Sequence, residues 1–133
     1  MFIVSPSIYS ADLLRLANVL DSVSTIENLH IDIDDGNFVR GISFGADMLR
    51  AIASHTTIPL DVHLEVLNPC DYVDALCQTG IRRLCAHIEA LPYPSLFLSD
   101  VKRRGLKAGL SASAMGRRRQ SRGVGVRGRT RRA

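Results

Sequence analysis

The chain has 133 residues, 46% of them apolar, enough for one domain with a buried core and ordinary for a globular protein. No apolar run approaches the roughly 20 residues that cross a bilayer, and the opening "MFIVSPSI" lacks the basic flank of a signal peptide, so a cytoplasmic protein with no membrane contact is expected. The net charge of +4 conceals a split: eight of the 17 basic residues are arginines between Arg117 and Arg132, beyond the last acid, Asp100, so residues 1–116 carry nine basic and 13 acidic side chains, a net of −4.

Strand and helix patterns alternate along the first part. Residues 2–8 are a short apolar run closed by a turn signal. Residues 10–23 follow as a helix, with Ser10 as its cap and Leu13, Leu14, Ala17 and Leu20 on one face. A second strand is expected over 28–33, a Gly-punctuated loop over 36–45 and a helix over 46–55. A third strand, 58–66, leads to a helix over 69–80 that opens on Pro69 and stops at Gly80. A fourth strand, 82–90, a helix over 94–105 stopped by Gly105, and a fifth strand over 106–112 complete the series. Strands alternating with helices of this length form a parallel sheet, either doubly wound or part of a (β/α)₈ barrel, and composition does not choose between them. In both, functional groups gather at the carboxyl ends of the strands. Cys70, Cys77 and Cys85 show no CxxC spacing and are expected to be free, buried thiols.

The second strand poses the chemical question. In "LHIDIDDGNF" the residues two apart share a face, so His30, Asp32 and Asp34 form one row and Leu29, Ile31 and Ile33 the other. The third strand repeats this with Asp61, His63 and Glu65, and the fourth adds His87 and Glu89. Two imidazoles and a carboxylate at matching positions on adjacent strands suit Zn, Mn, Fe or Co. Packing that much carboxylate together without a cation is costly. Simpler roles stay open for some residues. Asp61 pairs with an arginine at the other end of its strand, Asp35 is a turn residue before Gly36, or His87 packs in the sheet wall.

The segments "SPSIYSAD", "LHIDIDDGNFV", "ISFG", "PLDVHLEVLNP", "HIEA" and "LKAGL" occur in order over residues 2 to 112. Together they resemble the ribulose-phosphate 3-epimerase family. That family is a TIM barrel that inverts carbon 3 of a ketopentose phosphate, using one divalent metal ion held by two His and two Asp. The resemblance implies an incomplete (β/α)₈ barrel over residues 1–113, with about five strands. It implies His30, Asp32 and His63 as metal ligands, Asp32 as one of two acid/base carboxylates, and Ser7 and His63 at substrate-binding positions. The ion would be Zn, Fe, Mn or Co, the partner a sugar phosphate, and the full-length assembly a homo-oligomer.

Two departures stand out. The family usually has Met where this chain has Asp34 and Glu65, and acids there repel an enediolate unless a cation or another substrate group meets them. The family's second acid/base Asp, fourth ligand and Gly-rich phosphate grip follow later in its chains, whereas residues 114–133 here are Arg- and Gly-rich. Those residues read as a disordered tail, with a frame change or a premature end in the coding sequence as its expected origin. Two other expectations compete with epimerisation: a non-catalytic remnant, and a less favoured binding of nucleic acid through the tail arginines.

Overall fold

Strands whose apolar and polar residues alternate can bury only one face, and the helices between them must cover it. The computed structural model describes residues 4–113 and has that arrangement. Its strands β1 (Leu29–Asp34), β2 (Leu60–Glu65), β3 (Arg83–His87) and β4 (Lys107–Ser111) are all parallel and lie side by side in chain order. Helix α1 (Leu16–Ser22) precedes β1, and α2 (Ala46–His55), α3 (Val73–Cys77) and α4 (Pro94–Arg103) join the successive strands.

This order decides between the two sheet types. A doubly wound sheet reverses its strand order where the helices change faces. Here the order is unbroken, and parallel crossovers share one hand, so every connection lies on the same side. One core holds Ile31, Ile33, Leu60, Val62, Leu64 and Leu84 from the strands and Leu49, Ile52, Leu76, Phe97 and Val101 from the helices. Burial of each such side chain contributes about 1.5–3 kcal/mol. The opposite face of the sheet is polar. The fold is part of a (β/α)₈ TIM barrel, with that polar face turned inward.

Several elements differ from their sequence expectation. The expected strand over 2–8 contributes, within the described residues, a single parallel bridge of Ser7 to His30, with the His30 N–H donating to the Pro6 carbonyl at 2.9 Å; residues 1–3 lie outside them. The expected helix over 10–23 begins as 3₁₀ turns at Ile8–Ser10 and Leu13–Arg15. Asp12, not Ser10, caps the second of these, accepting from the Leu14 N–H at 3.1 Å. That turn rotates Leu13 and Leu14 away from the core, Ala17 is also exposed, and only Leu20 of the expected face is buried.

The expected helix over 69–80 divides into a 3₁₀ turn, Pro69–Tyr72, and α3. The expected strand over 82–90 ends at His87, and a 3₁₀ turn, Ile88–Ala90, carries Glu89. Gly80 and Gly105 take the left-handed φ of +83° and +84° that ends a helix, as their positions suggested. The cysteines are free, but none is buried as expected: Cys70 is exposed and Cys77 and Cys85 are half-buried. The Arg-rich stretch read as a tail, 114–133, lies outside the described residues.

Candidate active site

Pleating puts His30, Asp32 and Asp34 of β1 on the inner face. The β1–β2 register sets Asp32 opposite His63 and Asp34 opposite Glu65, so two short rows of acids and imidazoles stand side by side. Lower in the sheet, His30 is opposite Asp61. On β3 and β4 the same face shows Arg83, Cys85, His87, Lys107, Gly109 and Ser111.

Asp32 is the centre of the site. Its Oδ1 lies 2.8 Å from Nε2 of His30 and 3.1 Å from Nδ1 of His63. Its Oδ2 accepts from the Ser7 hydroxyl at 3.2 Å. The loop after β1 holds this strand end in place. Ser43, from the "ISFG" segment, donates its hydroxyl to the Asp32 carbonyl at 2.7 Å and accepts the Asp34 N–H at 2.9 Å. The four residues singled out from the sequence, Ser7, His30, Asp32 and His63, therefore meet at one carboxylate.

A second layer lies beyond Asp32. Asp34 is buried at 6% exposure, and its Oδ1 has no hydrogen-bond partner. Burial raises the Asp34 carboxyl above its ordinary value, and the Glu65 charge adds to this, while a hydrogen bond from Tyr9 opposes it. The surroundings thus favour the neutral acid. Tyr9 is in turn raised, chiefly by the Asp34 charge. Tyr9, Asp32, Asp34 and Glu65 line one cleft. Gly41 passes beside it, where a Cβ would stand 3.0 Å from the Tyr9 hydroxyl and 3.1 Å from Asp34 Oδ2.

His87 at the end of β3 extends the site further. Its Nε2 is 3.4 Å from Glu65 Oε1 and its Nδ1 is 3.4 Å from Glu89 Oε2. Its ring stacks on His63 at a centroid distance of 4.8 Å and meets Phe38 at 5.0 Å. Tyr9, Phe38 and Ser43 were not legible as site residues. Tyr9 two positions after Ser7, and Ser43 inside a Gly-punctuated loop, were the available signals.

Two acids have structural work. Asp61, 5% exposed at the opposite end of the sheet, accepts from Arg82 Nε at 3.1 Å and Asn28 Nδ2 at 2.8 Å, and pairs with Arg83 Nη1 at 3.1 Å. This is the arginine pairing that the sequence left open. Asp35 is more than a turn residue. Its Oδ1 accepts the N–H groups of Asn37 at 2.8 Å and Phe38 at 2.7 Å, and its Oδ2 that of Leu67 at 2.8 Å, which ties the loops after β1 and β2 together.

Two clusters among the described residues have the donors for a metal ion: His30, Asp32 and His63, and His63, Glu65 and His87. Within each, the ligand atoms lie within 4.8 Å of one another. The first fits a divalent ion well. Two imidazole nitrogens aimed at one carboxylate oxygen need a proton on each to bond it, and a single cation between them satisfies all three without those protons. His63 Nε2 is also buried without a hydrogen-bond partner.

Fold and site together define a barrel-type α/β protein whose imidazoles and carboxylates gather where parallel strands end. The model of the Ribulose-phosphate 3 epimerase family matches residues 3–116, and the chain belongs to that family. It is 37% identical over 112 residues to the ribulose-phosphate 3-epimerase of Treponema pallidum, covering 83% of this chain and 51% of the relative. It is 38% identical over 112 residues to that of Bacillus subtilis, covering 83% and 52%. Against that of Helicobacter pylori the identity is 33% over 107 residues, covering 80% and 49%. The chain spans about half the length of the curated relatives it matches. Among the described residues no helix is long and apolar enough to cross a membrane.

Proposed function

We propose that this chain carries part of the site of a metal-dependent epimerase that inverts carbon 3 of a ketopentose phosphate of the ribulose 5-phosphate type, through an enediolate. The observation that carries the reading is the convergence of His30, His63 and Ser7 on the Asp32 carboxylate at adjacent strand ends. The names of the relatives support the same reaction.

In this reading Asp32 removes or returns the carbon-3 proton. Its Oδ1 is fixed by two imidazoles, so the carboxylate is oriented before substrate arrives. Ser7 donates to Oδ2 and stands at the mouth of the site, where its hydroxyl can turn to a substrate oxygen. His30, Asp32 and His63 would hold a Zn, Fe, Mn or Co ion. The ion supplies positive charge for the enediolate oxygen that forms when the proton leaves. Inversion needs a proton donor on the opposite face of the carbon as well, and Asp32 accounts for one face. Residues 1–113 are the barrel part in this proposal, and a cytoplasmic setting and self-association of the full-length enzyme belong to it.

The test is exchange of the carbon-3 hydrogen of ribulose 5-phosphate with D₂O, followed by proton NMR with each of the four ions. Metal-dependent exchange is expected, falling about 10²–10⁴-fold in Asp32→Asn. Exchange that ignores the metal, equal exchange in Asp32→Asn, or none with any ion would sink the reading.

A further inference from the structure

We infer that Glu65 and His87, together with Nε2 of His63, form a second cation site, distinct from the cluster around Asp32 and suited to a borderline divalent ion such as Zn²⁺ or Co²⁺. The inference goes beyond the reaction proposed above and shares only His63 with its metal ligands.

Three observations carry it. First, the ligand atoms of His63, Glu65 and His87 all lie within 4.8 Å of one another, the spacing that one ion spans. Second, His87 is 7% exposed, and its Nε2 has no hydrogen-bond partner although Glu65 Oε1 is only 3.4 Å away. The other side of that ring explains why. Nδ1 faces the carboxylate of Glu89 at 3.4 Å. The Ser113 N–H donates to Glu89 Oε1 at 2.6 Å. With Glu89, already an acceptor for Ser113, also the acceptor for this ring, the ring proton sits on Nδ1 and the lone pair on Nε2. A carboxylate behind an imidazole that faces outward with its free nitrogen is the arrangement of a metal-binding histidine. Third, His63 commits Nδ1 to Asp32 and leaves Nε2 buried and unpartnered.

Without a cation, the His87 lone pair and the Glu65 oxygens face each other in a half-buried cleft, an unfavourable arrangement. A divalent ion turns both into ligands. Phe38, ring to ring with His87 at 5.0 Å, covers the imidazole with an apolar surface. With both sites filled, His63 would bridge the two ions as an imidazolate, one ion on each nitrogen, its ring proton released to solvent.

The experiment is equilibrium dialysis of the full 133-residue chain against Co²⁺ alone, with the visible cobalt spectrum recorded in parallel, on wild type, His30→Ala, Glu65→Gln, His87→Asn and Glu89→Gln. Two ions per wild-type chain are expected, with one retained in each of His30→Ala, Glu65→Gln and His87→Asn. Glu89→Gln should weaken the second ion about 10–100-fold and leave the first unchanged. A single wild-type ion that is lost in Glu65→Gln and kept in His30→Ala also supports the inference, and counts instead against the centre at Asp32. A single ion kept in both Glu65→Gln and His87→Asn overturns the inference and leaves the centre at Asp32 standing. No bound ion overturns both. Far-UV circular dichroism checks each fold; if His87→Asn unfolds, the nearly isosteric Glu65→Gln decides.

Discussion

Replacing Asp35 with Ala removes an acceptor shared by three backbone N–H groups, those of Asn37, Phe38 and Leu67. Two of these are local to the turn, but Leu67 is 32 positions away and follows the other site strand. A shielded hydrogen bond to a charged group contributes about 1.5–3 kcal/mol. Asp35 is half-buried, and water can reach the Asn37 and Phe38 donors once it is gone, so a total loss of about 2–3 kcal/mol is expected. Urea unfolding measures that loss. Amide exchange localises it, with the Leu67 N–H exchanging roughly tenfold faster or more, since about 1.4 kcal/mol corresponds to a factor of ten. The pH dependence has a definite sign. Burial raises the Asp35 carboxyl, but the N–H groups of Leu67, Phe38 and Asn37 outweigh it and hold it below its ordinary value of 3.8. A depressed carboxylate stabilises the fold above its unfolded pKa, and that contribution is lost as pH falls through the folded pKa. Wild type and Asp35→Ala should therefore differ most at neutral pH and converge below about pH 4. A constant difference at all pH values, or unchanged exchange at Leu67, would refute the clamp.

Other outcomes follow from the same structure. Gly109→Ala should cost about 1–3 kcal/mol in a thermal melt, because the new Cβ collides with Cys85 Sγ. Adding Cys85→Ala should restore most of it, since the Cys85 Cβ itself would stand 3.6 Å away. Asp61→Ala strands Arg82 and Asn28 without their buried acceptor, and a loss of about 3–5 kcal/mol by denaturant titration is expected. Phe97→Ala, at a side chain 2% exposed under α4, should cost about 3–5 kcal/mol in the same assay.

Much of this molecule was legible as a one-dimensional pattern. The alternation of Leu29, Ile31 and Ile33 with His30, Asp32 and Asp34 is a local property with a period of two, and the structure keeps it. Glycine stops and proline starts also act within a few residues, which is why α4, between Pro94 and Gly105, falls close to its expected place. Failures came where a local signal had two readings. Leu13 and Leu14 fit a helical face, but Asp12 caps a 3₁₀ turn there and turns both outward. Glu89 fits a strand alternation, yet β3 ends at His87 and a 3₁₀ turn carries Glu89 to the side of the imidazole.

The sequence by itself determined which residues share a strand face, because pleating is imposed by covalent geometry. It also determined the alternation of strands and helices, because hydrophobic period and turn residues are written along the chain. Only the tertiary structure decided that the strands run in unbroken order, which makes the sheet part of a barrel. Only register, set by hydrogen bonds between residues about 30 apart in the chain, decided that His63 meets Asp32, that Glu65 stands opposite Asp34, and that Leu67 reaches Asp35. A slip of one residue would have kept every local pattern and turned one row of the site into the core.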